Sequence, residues 1–242
     1  MNICVVKDYD EMSKKAADFI ADMIIKKPDG VLGLATGSTP VGTYKNLVSM
    51  YEAGKLDFSK LTTVNLDEYK GLKRTHDQSY YFFMHDNLFD HVNLRPDASF
   101  LPDGSKDDAE AECKAYEEKV ASLGYADLQL LGIGRNGHIG FNEPADDFAV
   151  NTHCVNLTES TIDANKRFFA SSDDVPKQAY TMGIGTIMKA KKILILASGA
   201  DKAEAIKNSC FGPVTPKVPA SILQFHPDVT VICDEAAYSL CK

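Results

Sequence analysis

Residue types suited to acid–base chemistry are concentrated in one glycine-rich stretch, Gly132 to Pro144. It carries an amide, an imidazole and a carboxylate close together, at Asn136, His138 and Glu143. Histidine and a nearby carboxylate can exchange protons near neutral pH. A lone histidine is more often structural, but this density of polar groups, on glycines with no obvious core purpose, favours an active-site loop.

The glycines of this stretch also match a nucleotide-binding pattern. Gly132, Gly134 and Gly137 fit G-x-G-x-x-G, but a dinucleotide fold needs a helix directly afterwards and an acidic residue roughly 20 positions further on. Gly140 and Pro144 would interrupt that helix. The sequence also lacks an H-E-x-x-H motif and a cysteine cluster, so we expect neither a metal nor a cofactor.

A second candidate is the carboxylate pair Asp67-Glu68, which stands at the end of a predicted buried strand, after Val64-Asn65-Leu66. In open α/β sheets, active-site groups gather at the carboxyl ends of strands. Asp67 is therefore a candidate general base. The alternative is a carboxylate that only caps the following loop.

Two further strand ends are predicted to bind an anion. At the first, Gly37, Ser38 and Thr39 precede a proline suited to open a helix, and backbone N–H groups and hydroxyls there could hold a phosphate. At the second, Lys202 would lie in the first turn of a helix, where a cation is unfavourable unless it faces an anion. The alternatives are an ordinary capped turn and a solvated lysine.

The elements that must position these residues alternate between apolar runs and amphipathic segments. Helical spacing connects Met12, Ala16, Phe19, Ile20, Met23 and Ile24, and likewise Ala109, Cys113, Tyr116 and Val120. Six runs are predicted to be strands: Asn2–Val6, Val31–Thr36, Thr62–Leu66, Leu128–Ile133, Lys192–Ser198 and Val229–Cys233.

This alternation predicts one α/β domain over residues 1–242, with a doubly wound, mainly parallel sheet and helices on both faces. The expected fold is Rossmann-like but does not bind a dinucleotide. The less regular segment 151–182 could form a flap over the site.

Composition narrows the class of protein. The 242 residues carry a net charge of -8, which would repel nucleic acid. The first residues form too short an apolar run for a signal peptide, and no stretch approaches the ~20 apolar residues of a membrane span. The six cysteines are scattered, as in a reducing compartment. We expect a cytoplasmic protein without nucleic-acid or membrane partners.

Three motifs, in order, resemble those of the glucosamine-6-phosphate deaminase family: LATGSTP at 34–40, NLDEY at 65–69 and GHIGFNEP at 137–144. The resemblance extends from about Gly33 to Lys202. It implies an enzyme that isomerises glucosamine 6-phosphate and releases ammonia, giving fructose 6-phosphate, without a cofactor.

The resemblance also implies roles for individual residues. Asp67 would move a proton between C2 and C1, while His138, helped by Glu143 and position 136, would open the sugar ring. Many relatives have aspartate at position 136. Asn136 can still accept a hydrogen bond from the imidazole and orient it, but it carries no charge.

For the phosphate, the resemblance indicates Ser38 with neighbouring amides, Lys202, and Arg167 in the proposed flap. Some relatives are hexamers activated by an N-acetylated sugar phosphate at basic residues that are His153 and Val155 here. We therefore expect no such activation and favour a monomer. The alternatives are a 6-phosphogluconolactonase and a sugar-phosphate-sensing domain; Asp67 and the Asn-Glu-Pro sequence favour the deaminase.

Overall fold

The computed structural model describes residues 1–158, 162, 169 and 175–241. Its strands are β1 (Asn2–Val6), β2 (Val31–Leu34), β3 (Thr62–Asn65), β4 (Asp67–Tyr69), β5 (Ser99–Phe100), β6 (Leu128–Gly132), β7 (His153–Asn156), β8 (Gln178–Thr181), β9 (Ile193–Ala197) and β10 (Val229–Asp234). Seven of them form a sheet in the order β1-β10-β9-β6-β2-β3-β5, and all neighbouring pairs in it are parallel. The predicted mainly parallel, doubly wound α/β fold is confirmed.

The central strands form where the sequence is continuously apolar. All five residues of β9 are buried, as are the first four of β6. A parallel sheet covered on both faces selects such runs rather than an alternating pattern. All six predicted strands are present, with boundaries within two residues of those expected.

The helices of the described residues are α1 (Tyr9–Lys26), α2 (Val41–Glu52), α3 (Tyr80–Asn87), α4 (Ala109–Ser122), α5 (Ile184–Ile187) and α6 (Ala203–Phe211). Short 3-10 turns cover Phe89–His91, Ala200–Lys202 and Pro219–Phe225. Asp8 caps α1 by accepting a hydrogen bond from the N–H of Glu11 at 3.0 Å. Of the predicted apolar stripe of α1, Met12, Ala16, Ile20 and Ile24 are buried, and the other two residues are partly buried.

A second, antiparallel sheet in the order β4-β8-β7 lies outside the sequence predictions. It pairs Asp67 with Thr181, which is distant in sequence. The two ends of the predicted flap, segment 151–182, contain β7 and β8. Residues 159–161, 163–168 and 170–174, which include Arg167, lie outside the described residues.

The strand order determines which loops meet. β9, β6, β2 and β3 are consecutive in the large sheet. Because parallel strands end at the same edge, the segments that follow them lie side by side there. These segments contain Lys202, His138, Ser38 and Asp67. No helix in the described ranges is both long and apolar enough to cross a membrane.

Candidate active site

The active-site loop, residues 133–144, brings three predicted catalytic side chains together. His138 Nδ1 lies 3.2 Å from Glu143 Oε1. The Asn136 amide donates a hydrogen bond to Glu143 Oε2 at 2.6 Å, and its oxygen accepts one from the backbone N–H of His138 at 3.2 Å. Asn136 was expected to bind the imidazole directly. It instead holds the carboxylate that faces the imidazole.

Glycines allow this loop to fold tightly around His138. The N–H of Gly134 donates to the carbonyl of His138 at 2.9 Å, and Gly137 has φ of +83°. A Cβ added at Gly134 would lie 2.3 Å from His138 Cε1. The backbone therefore passes directly against the imidazole, and a larger residue would displace the ring.

The small sheet anchors the far end of the loop. The N–H of Phe141 donates to Thr181 Oγ1 at 3.0 Å, and the side chain of Asn142 donates to the carbonyl of Met182 at 2.9 Å. Thr181 is fully buried. Sequence reasoning missed this threonine because no local pattern connects it with the loop.

Asp67 lies at the start of β4, next to the active-site loop. It is 6% exposed, and its Oδ2 is 3.5 Å from the position of a Cβ added at Gly140. Burial, together with the negative charge of Glu68, raises the pKa of Asp67 from 3.8 to about 8. A carboxyl group whose pKa lies near neutrality is suited to take up and return a proton.

The first predicted anion turn follows β2. Gly37 has φ of +90°, a conformation that favours glycine. Within the described ranges, the N–H groups of Ser38 and Thr39 have no hydrogen-bond acceptor. The Tyr9 hydroxyl supports the turn, donating to the carbonyl of Ser38 at 3.1 Å and accepting from the N–H of Gly42 at 2.9 Å. The turn can therefore offer backbone donors to an anion.

The second anion turn follows β9 and carries Lys202 in a 3-10 turn before α6. Gly199, with φ of +94°, donates its N–H to the buried carboxylate of Asp234 at 3.0 Å. Burial lowers the pKa of Lys202, and the nearby Arg135 acts in the same direction. Arg135 Nε also lies 2.9 Å from Asp201 Oδ2 and so joins this turn to the active-site loop.

Two cavities lie near these elements. One of about 360 Å³ opens beside Glu143 and is also lined by Phe141, Phe148 and Ile184. A larger one of about 420 Å³ lies between α4 and β7, and the candidate site residues are not part of its lining. The smaller of these two cavities adjoins Glu143 and the larger adjoins none of the candidate residues, so cavity size does not identify the site.

Comparison with known proteins gives a consistent result. A family model described as glucosamine-6-phosphate isomerases/6-phosphogluconolactonase matches residues 7–232. A glucosamine-6-phosphate deaminase of Clostridioides difficile (strain 630) is 58% identical over 239 residues, which are 99% of this chain and 96% of that protein. One of Clostridium perfringens (strain 13 / Type A) is 54% identical over 242 residues, covering all of both chains.

Solved structures extend the comparison. A structure described as a monomeric glucosamine-6-phosphate deaminase has a TM-score of 0.97 and 52% identity, covering 99% of this chain and 100% of its own. The 6-phosphogluconolactonase of Trypanosoma brucei has a TM-score of 0.78 and 21% identity, covering 98% and 97%. At 21% identity, the likeness to the lactonase concerns the fold alone.

Proposed function

The chain belongs to the family of glucosamine-6-phosphate isomerases and 6-phosphogluconolactonases, and we propose that it is a glucosamine-6-phosphate deaminase. Such an enzyme converts glucosamine 6-phosphate and water into fructose 6-phosphate and ammonia. Deaminases 54% to 58% identical to this chain over nearly its whole length support this assignment. The lactonase structure is far less similar, at 21% identity.

The buried carboxyl group of Asp67, next to the loop that carries the His138–Glu143 pair, supports the proposal. Hydrolysis of a lactone requires one base to activate water. Converting an aldose into a ketose also requires a group that moves a carbon-bound proton between neighbouring atoms. Asp67, with its pKa raised to about 8 by burial and by Glu68, is suited to that second task.

We assign ring opening to His138. Its imidazole would take the proton of the sugar O1 hydroxyl and deliver a proton to the ring oxygen O5 as the C1–O5 bond breaks. Glu143, 3.2 Å from Nδ1, would stabilise the protonated ring, and Asn136 would hold Glu143 in place. The product of this step is the open-chain amino aldehyde.

We assign the next proton transfer to Asp67. Its carboxylate would remove the C2 proton as O1 takes up a proton, giving an enolamine. Asp67 would then return its proton to C1 as the amino nitrogen releases one, giving the imine of fructose 6-phosphate. Addition of water at C2 and loss of the nitrogen as ammonia would complete the reaction. Each step balances with water as the only second substrate.

The phosphate group would be held between the two anion turns. Backbone N–H groups of the turn at Gly37, Ser38 and Thr39 are suited to bind its oxygens, and Lys202 would approach from the other side. Arg167 retains its predicted phosphate-binding role, although it lies outside the described residues. An anchored phosphate places the sugar carbons at a fixed distance from Asp67 and His138.

We also propose a cytoplasmic monomer. The structural relative described as monomeric, with a TM-score of 0.97, supports the oligomeric state. A phosphorylated sugar does not cross a membrane unaided, so the enzyme belongs in the compartment that holds its substrate. Sedimentation of the purified protein at one subunit mass, with or without N-acetylglucosamine 6-phosphate, is the expected result.

The test of function measures ammonia and fructose 6-phosphate released from glucosamine 6-phosphate. We expect both products in equal amounts from the parent enzyme and a loss of about 10²- to 10⁴-fold in Asp67→Asn, since the amide cannot take up the proton. A parent enzyme that releases no ammonia but hydrolyses 6-phosphogluconolactone would place the chain in the other branch of its family.

A further inference from the structure

The residue after Asp67 is bound by more backbone groups than a surface carboxylate would be. Glu68 is 2% exposed. Its Oε1 accepts hydrogen bonds from the N–H groups of Tyr69 at 2.8 Å and Tyr80 at 2.9 Å, and its Oε2 accepts one from Tyr81 at 2.9 Å. Tyr80 and Tyr81 are the first two residues of α3. The carboxylate therefore joins β4 to the start of this helix.

The ionised form of Glu68 fits these partners. All three neighbours are donors, and the N-terminus of a helix favours a negative charge. Burial raises the pKa of Glu68 to about 7, while the three N–H groups and Arg74 act in the opposite direction. Ser79 completes the helix cap by accepting from the N–H of Phe82 at 3.0 Å.

The connection continues into the active-site loop. The ring of Tyr80 lies 4.7 Å from that of Tyr69 and stacks on Phe141 at 6.0 Å, centroid to centroid. Phe141 is in the same loop as His138. By holding the backbone of Tyr80, Glu68 fixes the position of α3 relative to Asp67 and His138.

We propose that Glu68 is a positioning residue of the deaminase reaction. Its three backbone hydrogen bonds fix Asp67 against α3, and its charge raises the proton affinity of the neighbouring Asp67 carboxylate. The assignment of Asp67 as the proton carrier rests on the proposed function. The effect of the Glu68 charge on the proton affinity of Asp67 does not depend on that function, because both carboxyl groups are present in the protein without substrate.

Few other groups can supply this electrostatic effect. Tyr69 on β4, Tyr80 on α3 and Tyr116 on α4 interact with Asp67, but burial raises the pKa of each phenol above its ordinary value, so all three are neutral in an assay. After burial itself, the charge of Glu68 is the second cause of the raised Asp67 pKa.

The remaining elements beside Asp67 add no unpaired charge among the described residues. β8 contributes the hydroxyl of Thr181. The active-site loop contributes Gly140 next to Asp67 Oδ2, and its titratable groups His138 and Glu143 face each other at 3.2 Å. Among the described residues, Glu68 is therefore the charged group whose removal should change the proton affinity of Asp67 most.

The experiment compares the pH dependence of kcat/KM in the parent and in Glu68→Gln. Removing the charge should lower the pKa of Asp67, so the acid limb should move to lower pH by about one unit. Ser79→Ala is the matched control. It weakens the same helix end without changing any charge near Asp67, so its acid limb should stay in place.

Two outcomes would overturn the proposal: an acid limb in Glu68→Gln that coincides with that of the parent, or an equal shift in Ser79→Ala. If Glu68→Gln does not fold, Glu68→Asp serves instead. It keeps the charge but shortens the side chain by one methylene, so kcat should fall while the acid limb stays in place. A parental kcat in Glu68→Asp would contradict the positioning role.

A titration without substrate separates this inference from the proposed function. The carboxyl carbon of Asp67, followed by NMR in the parent and in Glu68→Gln, should titrate about one pH unit lower in the variant. If the parent shows no deaminase activity but this shift is present, the function is wrong and the effect of Glu68 stands. If deaminase activity is present without the shift, the function is supported and the proposed effect of Glu68 on Asp67 is wrong.

Discussion

Replacing Asp67 by asparagine should stabilise the folded protein at alkaline pH while it greatly lowers activity. The carboxyl group is 6% exposed, and burial with the charge of Glu68 raises its pKa from 3.8 to about 8. Asparagine has nearly the same shape and never ionises. The two proteins should therefore differ in stability wherever the unfolded chain has released the Asp67 proton.

The direction in which stability changes with pH follows from the number of protons that the folded and unfolded states bind. Between pH of about 4 and 8, the unfolded chain has released the Asp67 proton while the folded protein keeps it, so the folded state binds more protons and its stability falls as pH rises. A difference of about four pKa units, at about 1.4 kcal/mol per unit, sets a limit of about 6 kcal/mol. Water entering the open site screens part of this, so we expect about 2 to 4 kcal/mol above pH of about 8.

The assay is urea unfolding of the parent and of Asp67→Asn at two pH values, about 5 and about 8.5. The chain contains no Trp, so far-UV circular dichroism is the appropriate signal. The stability advantage of Asp67→Asn should grow between the two pH values. An advantage of equal size at both, or a variant less stable than the parent at the higher pH, would refute the reasoning.

Asp127→Asn is a control for which the effect of the substitution on stability should have the opposite sign. Asp127 is also buried, but hydrogen bonds from Lys191 and Lys27 outweigh the effect of burial and lower its pKa. The stability that Asp127 contributes is present above its unfolded pKa and is lost as pH falls. Asp127→Asn should therefore be less stable than the parent at neutral pH, and this deficit should shrink towards acid.

Two further substitutions test the site. Gly134→Ala should lower kcat/KM by about 10²-fold, because the new Cβ would meet the imidazole of His138 at 2.3 Å. Gly132→Ala, where nothing lies within 4 Å, should leave it near the parental value, and equal effects would contradict the steric argument. Lys202→Met should raise KM for glucosamine 6-phosphate by about 10- to 100-fold, the equivalent of one charge-assisted hydrogen bond. Lys207 lies on the exposed surface of α6, so Lys207→Met should leave this KM unchanged. A similar rise in both variants would show that Lys202 does not bind the phosphate.

The large sheet could be predicted from the sequence because its strands are buried on both faces. Continuous apolar runs such as Ile193–Ala197 need no long-range information to be recognised. The small sheet could not be predicted. Asp67–Tyr69 is three residues long and begins with two carboxylates, and it becomes a strand only because Thr181 pairs with it. Pairing of distant segments leaves no local signal.

The same distinction applies to the site. The placement of Asp67, His138 and Glu143 near one another could be predicted, because each follows a strand of the predicted sheet. Their supporting contacts could not be predicted in the same way. Thr181 and Tyr80 hold the site from distant segments, and Glu68, although visible in the sequence, gives no sign that three backbone groups bind it.

Asn136 supports the imidazole–carboxylate pair through its side-chain amide. Its side-chain nitrogen lies 2.6 Å from Glu143 Oε2, a distance that suits a hydrogen bond. An aspartate in the same conformation would place two carboxylate oxygens that close, and their repulsion would turn one away. The amide thus lets Glu143 stay beside His138 with a single negative charge at this position. The asparagine therefore supports the imidazole–carboxylate pair by orienting the carboxylate rather than the imidazole.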